Sequence, residues 1–387
     1  MTKNTTVFAS LLRHLSRSEF QSAVSGYKAD FRTRVLNCWD MFKTLLYAQV
    51  TGCFSVREIE TSMRVNGNRM YHAGLKQIKR STLCDALEKR KSDIFSSVFH
   101  ELVCKAQIIA GKTGKKFKNP LRIIDMTVIP LCLSKFDWAK FRKAKGAVKI
   151  HMNLDGDNLI PLNAYLTDGT VHEKNRISHL ADESGVIYSM DRGFIDYKSL
   201  YCIELNDSVF VTRLKNNCDY KKVKINICEK DGPVLSDALI SLTGPVTKKN
   251  YPKLLRKIKY KAPDTGKVYE FLTNDLEREA VEIASIYKER WEIELFFKWI
   301  KQHLRIKSFY GTSRNAVYSQ IWVALILTIL LWISRTLDGI TASARELLIM
   351  IKTTLFTKNS LLGLCTNISP LKVKNDSMQL EFEGFKC

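Results

Sequence analysis

Acidic residues are scarce in this sequence. Its 387 residues hold 39 Asp and Glu against 61 Lys and Arg, a formal net charge of +22. An imbalance of that size argues against acid-rich, self-solvating chains and implies an anionic partner, nucleic acid first. On charge alone a ribosomal or membrane-surface protein stays open. Proline and glycine are also sparse, at 8 and 18 residues, and no low-complexity tract occurs, which excludes collagen-like and linker-dominated chains. The ten cysteines are scattered, with no Cys-x-x-Cys and no Cys/His set at zinc spacing. They are expected to be reduced thiols, mostly in the core of a cytosolic protein. The longest apolar run, Ile321 to Ile333, falls short of the roughly 20 residues a bilayer requires, and predicts a buried helix. The opening Met-Thr-Lys-Asn-Thr-Thr lacks the pattern of a signal peptide, so a cytoplasmic, nucleoid-associated location without membrane partners is expected.

What is present is ample hydrophobic content, 45%, over a length that suits two or three domains. Residues 1–118 read as helical: Phe8, Leu11, Leu12 and Leu15, then Leu36, Trp39, Phe42 and Leu46, recur at helical spacing. Ser55 is placed to cap one helix, and Ser81 or Thr82 another through Arg90. This stretch carries 21 Lys and Arg against 9 Asp and Glu, which makes it an all-α, basic, DNA-binding domain in expectation, with 81–91 as recognition helix. A plain helical bundle with a solvated basic face is the competing reading. Past the basic linker Lys112 to Lys118 the periodicity changes. Strands are expected at 122–128, 148–154 and 159–166, the last two joined by a turn at 155–158. A short helix over 172–181, a strand at 185–190, a helix at 197–205 and a strand at 208–214 follow. Three strands, helix, strand, helix, strand is the order of a ribonuclease-H-like α/β fold. The catalytic core would then span 119–215 and 282–350, interrupted by a β-strand-rich insertion at 216–281 and followed by a tail at 351–387.

Three acids stand out. Asp125 lies in an apolar strand behind Ile123 and Ile124, where a carboxylate is costly unless it is hydrogen-bonded or holds a metal. Asp191 stands where the fourth strand gives way to Arg192-Gly193-Phe194. Read at about 100° per residue, Tyr287 to Leu304 is one helix with Tyr287, Arg290, Glu294, Lys298 and Lys301 on one face. Ile293, Phe296, Trp299, Ile300 and Leu304 form its core-facing stripe, and Trp291 reads as a packing wall. In a ribonuclease-H-like sheet the first and fourth strands are neighbours, so Asp125 and Asp191 would meet and Glu294 would complete a metal site. Three hard oxygen ligands suit Mg²⁺, and two such ions about 4 Å apart can drive in-line displacement at phosphorus. Asp155 and Asp157 read as turn residues, while Asp168 and His172 divide between an ordinary loop and a supporting role.

Tyr287, Arg290, Glu294 and Lys301 match the spacing Tyr-x2-Arg-x3-Glu-x6-Lys, and Asp191 to Phe194 match Asp-x-Gly-(Phe/Tyr). On these motifs the chain resembles the DDE transposases of bacterial insertion sequences, in the YREK-signature branch, the IS-four and Tn-five-like group. The resemblance runs from about Phe8 to Ile333. It implies that Asp125, Asp191 and Glu294 are the catalytic, metal-binding triad, with Mg²⁺ as cofactor and Mn²⁺ able to substitute. Tyr287, Arg290, Lys298 and Lys301 would be DNA-binding residues. Double-stranded DNA, as terminal inverted repeats and as target, would be the partner of a homodimer in the synaptic complex. Water would cleave one strand and the freed 3′-hydroxyl would attack target DNA. One departure is that no Trp lies between Trp138 and Trp291 to stack on a flipped base; Tyr251, Tyr260, Tyr269 or Phe271 are the available aromatics. Two alternatives stay open: a structure-specific nuclease of the ribonuclease-H superfamily, and a non-catalytic DNA-binding protein of transposase descent.

Overall fold

The computed structural model describes residues 5–111, 116–142, 145–226 and 232–366. The chain divides into two compact units. One takes Met1–Lys112, Ile129–Val148 and Phe296–Cys387; the other takes Thr113–Val128 and Lys149–Leu295.

The first unit is mainly helical, and its helices start where polar side chains satisfy free amides. Asn37 caps Cys38–Thr51, Ser55 caps Val56–Val65 by accepting from the Glu58 amide, and Ser16 and Ser343 each form a capping box. The expected Ser81 or Thr82 cap is absent. That helix runs Arg80–Lys89, with Lys79 at its N-cap and no side-chain cap bond. The helix Arg314–Asp338 is longer than its apolar run suggested, 25 residues, and by length and composition could cross a bilayer. Its apolar window is instead 94% buried, packed on Asp93–Ala110 and Cys38–Thr51. Thr328 within it returns its hydroxyl proton to the Leu325 carbonyl, which satisfies the polar group in an apolar setting.

The strands, in chain order, are β1 (Leu121–Leu131), β2 (Lys140–Arg142), β3 (Lys145–Asp155), β4 (Pro161–Asp168), β5 (Ile187–Met190), β6 (Val209–Arg213), β7 (Tyr220–Ile225), β8 (Val234–Leu242), β9 (Leu255–Lys261) and β10 (Val268–Thr273). β2 belongs to the first unit, in a hairpin register of Lys140 with Gly146. In the second unit the order runs β4, β3, β1, β5, β6, β10, β9, β8, β7. β1, β5 and β6 are mutually parallel, whereas β10, β9, β8 and β7 are antiparallel. The strand-rich segment is therefore no separate sheet: β10 pairs with β6, Phe271 opposite Arg213, and the run extends the same sheet. One helix within this segment, Pro245–Asn250, has no counterpart among the sequence expectations. β7 closes the order with a mostly exposed strand and a register shift between Lys222 and Lys224.

The turn after β3 is built by Asp155, whose Oδ1 accepts from the amides of Asp157 and Asn158. Gly156 there lies against Leu121: a Cβ would come within 2.6 Å of Leu121 Cγ. The core beneath β5 and β6 gathers Ile124, Tyr188, Met190, Phe194, Phe210 and Leu272. The cysteines are less buried than expected. Cys38 and Cys53 are buried, but Cys104, Cys132 and Cys202 are exposed.

Candidate active site

Parallel pairing decides where the acids meet. β1 and β5 are in register at Ile124 and Met190, so Asp125 and Asp191, each one residue on, emerge side by side where β5 stops. β5 and β6 are in register at Met190 and Thr212, which brings Arg213 alongside Asp191. Arg213 Nη2 donates to Asp191 Oδ1 at 2.8 Å, and the Tyr287 hydroxyl reaches the same oxygen at 3.4 Å.

The expected single helix is broken at Arg290. One helix, Ala280–Glu289, packs on β5 and β6; a second, Trp291–His303, starts after Arg290, whose amide donates to the Tyr287 carbonyl. The core stripe is as expected, with Ile293, Phe296, Trp299, Ile300 and Leu304 all buried. Trp291 is 54% exposed, so it is not a packing wall. Arg290, at the break, is 8% exposed. Its Nη1 donates to Asp125 Oδ2 at 2.8 Å and its Nη2 to Glu294 Oε1 at 2.6 Å. The Tyr287 ring, buried against Phe271 at 5.0 Å, lies beneath the Arg290 guanidinium at 5.5 Å.

The electrostatics follow from this packing. Burial pushes the Asp125 carboxyl up to about 6; the Arg290 cation and the Met126 amide oppose that shift, while Glu294 and Asp191 add to it. Burial also disfavours charge on Asp191, but the Arg213 hydrogen bond, the Arg192 amide and the two arginine cations hold it below its ordinary value. Arg290 is raised: burial opposes its charge, yet Tyr287, Asp125 and Glu294 more than offset it. Among the described residues no three His, Cys, Asp or Glu side chains are gathered tightly enough to share a metal ion. The guanidinium of Arg290 stands between Asp125 and Glu294 instead. The donor chemistry still suits a hard divalent cation. Asp125 and Glu294 share the Arg290 guanidinium and Asp191 takes that of Arg213, so three carboxylates face positive charge at the end of β5.

Two residues of this site have weak sequence signals. Arg213 becomes visible only through the parallel register. Glu173 leaves no motif at all, yet its Oε2 would lie 2.0 Å from a Cβ on Gly193, so the glycine after Asp191 makes room for this carboxylate. Burial raises the Glu173 carboxyl, against the Lys149 and Lys215 ammonium groups, and Asp191 adds to the rise.

The other candidates are placed as follows. Lys298 is exposed and Lys301 half-buried, its ammonium lowered by burial and Lys307; both belong to the first unit. Asp168 takes the Thr170 amide in an ordinary turn, and His172 is exposed at the start of a short 3-10 turn. Lys149 donates to the Val171 carbonyl in the loop after β4, and fully buried His151 meets Thr167 of β4 at 3.0 Å. Tyr251 is buried with its hydroxyl given to Glu204, and Phe271 lies under Tyr287; neither is free to stack on a base. Tyr260 and Tyr269 are half-buried.

Comparison with known proteins bears on this geometry. Residues 3–76 match a domain of unknown function (DUF4372). "Putative transposase y4zB" of Sinorhizobium fredii is 38% identical over 263 residues, 67% of this chain and 72% of that protein. "Probable transposase for insertion sequence element IS5377" of Geobacillus stearothermophilus is 25% identical over 67% of this chain and 68% of that protein. A solved piggyBac transposase synaptic complex with hairpin DNA is 13% identical, covering 96% of this chain and 84% of that one at a TM-score of 0.49, too loose a likeness to argue from. Residues 116–330, more than half of the chain, match the model described as "Transposase DDE domain", and the chain belongs to that family.

Proposed function

We propose that this transposase cleaves DNA at the ends of an insertion sequence and joins the freed 3′-hydroxyl to target DNA, with Asp125, Asp191 and Glu294 as its catalytic acids. The observation that carries the reading is the register of β1 with β5. It sets Asp125 beside Asp191, and Glu294 is tied to Asp125 through Arg290. A divalent cation, Mg²⁺ or Mn²⁺, held by these acids would polarise the attacking oxygen and neutralise the leaving one at phosphorus. The chain's own part is to converge three carboxylates on adjacent elements and to line them with cations that attract the phosphodiester. Tyr287, Arg290, Lys298 and Lys301 are the proposed DNA contacts. The spacing of Tyr287, Arg290, Glu294 and Lys301 supports the YREK-signature branch. The strand order β4, β3, β1, β5, β6 supports a ribonuclease-H-like core, and the basic helical region before it supports a DNA-binding domain. Action at two ends at once favours a homodimer in the synaptic complex.

The test is cleavage of a duplex bearing the element's terminal repeat, with Mg²⁺. Asp125→Asn, Asp191→Asn and Glu294→Gln should each abolish cleavage while DNA binding persists, since each removes a ligand to the ion. A variant that cleaves at near the unaltered rate excludes its residue from the triad. Cleavage without any joining of the 3′ end to a second duplex would favour a nuclease instead.

A further inference from the structure

We infer that the segment Gly26–Leu36 is a preformed grip on duplex DNA, with Phe31 as an apolar wedge at a base step and Lys28, Arg32 and Arg34 on the flanking phosphates. It lies within the region matched to a domain of unknown function. The inference rests on the reading of this chain as a DNA-acting transposase.

The segment joins the helices Arg17–Ser25 and Cys38–Thr51 without secondary structure of its own beyond successive turns. Lys28 and Arg32 both sit in the left-handed region, at φ 49° and 57°. A side chain is disfavoured there, and such conformations persist only where the surroundings enforce them. Here they are enforced. Phe31 N donates to the Lys28 carbonyl at 3.0 Å and Thr33 N to the Asp30 carbonyl at 3.1 Å. The Tyr27 hydroxyl pairs with Ser97 Oγ at 2.8 Å, and Arg90 donates to the Leu36 carbonyl. Asp30 is the segment's one acid, and it accepts the Cys38 amide at 2.7 Å, spent on holding the loop.

Two side chains that a folded core would be expected to keep are exposed in this segment. Phe31 is 71% exposed and Val35 77%. Lys28, Arg32 and Arg34 are exposed, and none has a carboxylate partner among the described residues. The Arg32 guanidinium lies 5.2 Å from the Phe31 ring centre. Three unpaired cations around a bare ring complement a polyanion whose bases offer flat apolar faces. The cations release counterions from the phosphates, and the ring unstacks or stacks on a base step. Because the loop is already ordered, its contacts are made without the entropic cost of fixing a flexible segment.

The experiment uses the full chain, without divalent metal, and a short random-sequence duplex carrying 2-aminopurine. Phe31→Ala should weaken binding roughly tenfold and abolish the rise in 2-aminopurine fluorescence that unstacking gives. Phe31→Leu should keep part of both, since an aliphatic wedge still enters a step. The double change Arg32→Gln and Arg34→Gln should lower the slope of log affinity against log salt by about two. Melting temperatures should not move, because these side chains are exposed. If the unaltered chain binds the duplex and the Phe31→Ala and double variants bind with its affinity and slope, the inference fails and the transposase reading stands. If the unaltered chain binds no DNA even at low salt, both fail.

Discussion

Arg290 offers the most direct probe of the acid site. Its guanidinium donates to Asp125 at 2.8 Å and to Glu294 at 2.6 Å while almost wholly buried, so in this state it provides the cation the carboxylates need. A divalent ion bound by the same two oxygens has to displace it. Each charge-assisted hydrogen bond is worth about 1.5–3 kcal/mol, and part of that returns when the guanidinium finds other acceptors. A net penalty of about 2 kcal/mol is then built into metal loading, near a factor of 30 in affinity. Arg290→Gln should therefore bind Mn²⁺ about 10- to 100-fold more tightly than the unaltered chain in the absence of DNA, read by the loss of the free Mn²⁺ spectrum. The same variant should melt lower without metal, since Asp125 is left without its partner, and should gain more on adding metal. If Arg290→Gln binds Mn²⁺ no more tightly, or more weakly, the guanidinium orients the carboxylates rather than filling the place of their ion.

Two further outcomes are expected. The Asp125 carboxyl is raised from 3.8 to about 6, so its contribution to stability is full below about pH 4 and is lost as pH rises through about 6. Urea denaturation of Asp125→Asn without metal should show a stability relative to the unaltered chain that grows by about 2 kcal/mol between about pH 4 and pH 7; parallel profiles would mean the carboxyl is not raised. Gly156→Ala places a Cβ within 2.6 Å of the buried Leu121 and should cost about 1–3 kcal/mol by overpacking, read as a lowered urea midpoint with an unchanged m-value.

Much of the site was legible because its parts are local. Asp125 in an apolar strand, Asp191 at a strand end and the turn at Asp155 each follow from a few neighbouring residues, as does the Ser55 cap. What was not legible depends on pairing between distant segments. No periodicity reports that β10 joins β6 and carries the insertion into the same sheet, nor that Arg213 therefore lies beside Asp191. Trp291 lies on the Glu294 side of the helix, opposite the core stripe, and its exposure follows that side: an aromatic ring is not by itself a sign of packing. The missing cap before Arg80–Lys89 shows that a well-placed hydroxyl is permission for a helix start and not its cause.

The strand that ends the sheet has its own consequence. β7 carries Lys221, Lys222 and Lys224, with Val223 and Ile225 exposed beside them and an irregular register against β8. An unguarded edge with two bare aliphatic side chains would be a template for another chain to add a strand. Two copies meeting edge to edge here would bring three ammonium groups of each against the other, across a backbone whose spacing is interrupted. Charge and irregularity thus oppose strand addition at the end of the sheet, so copies brought close together would not polymerise through it.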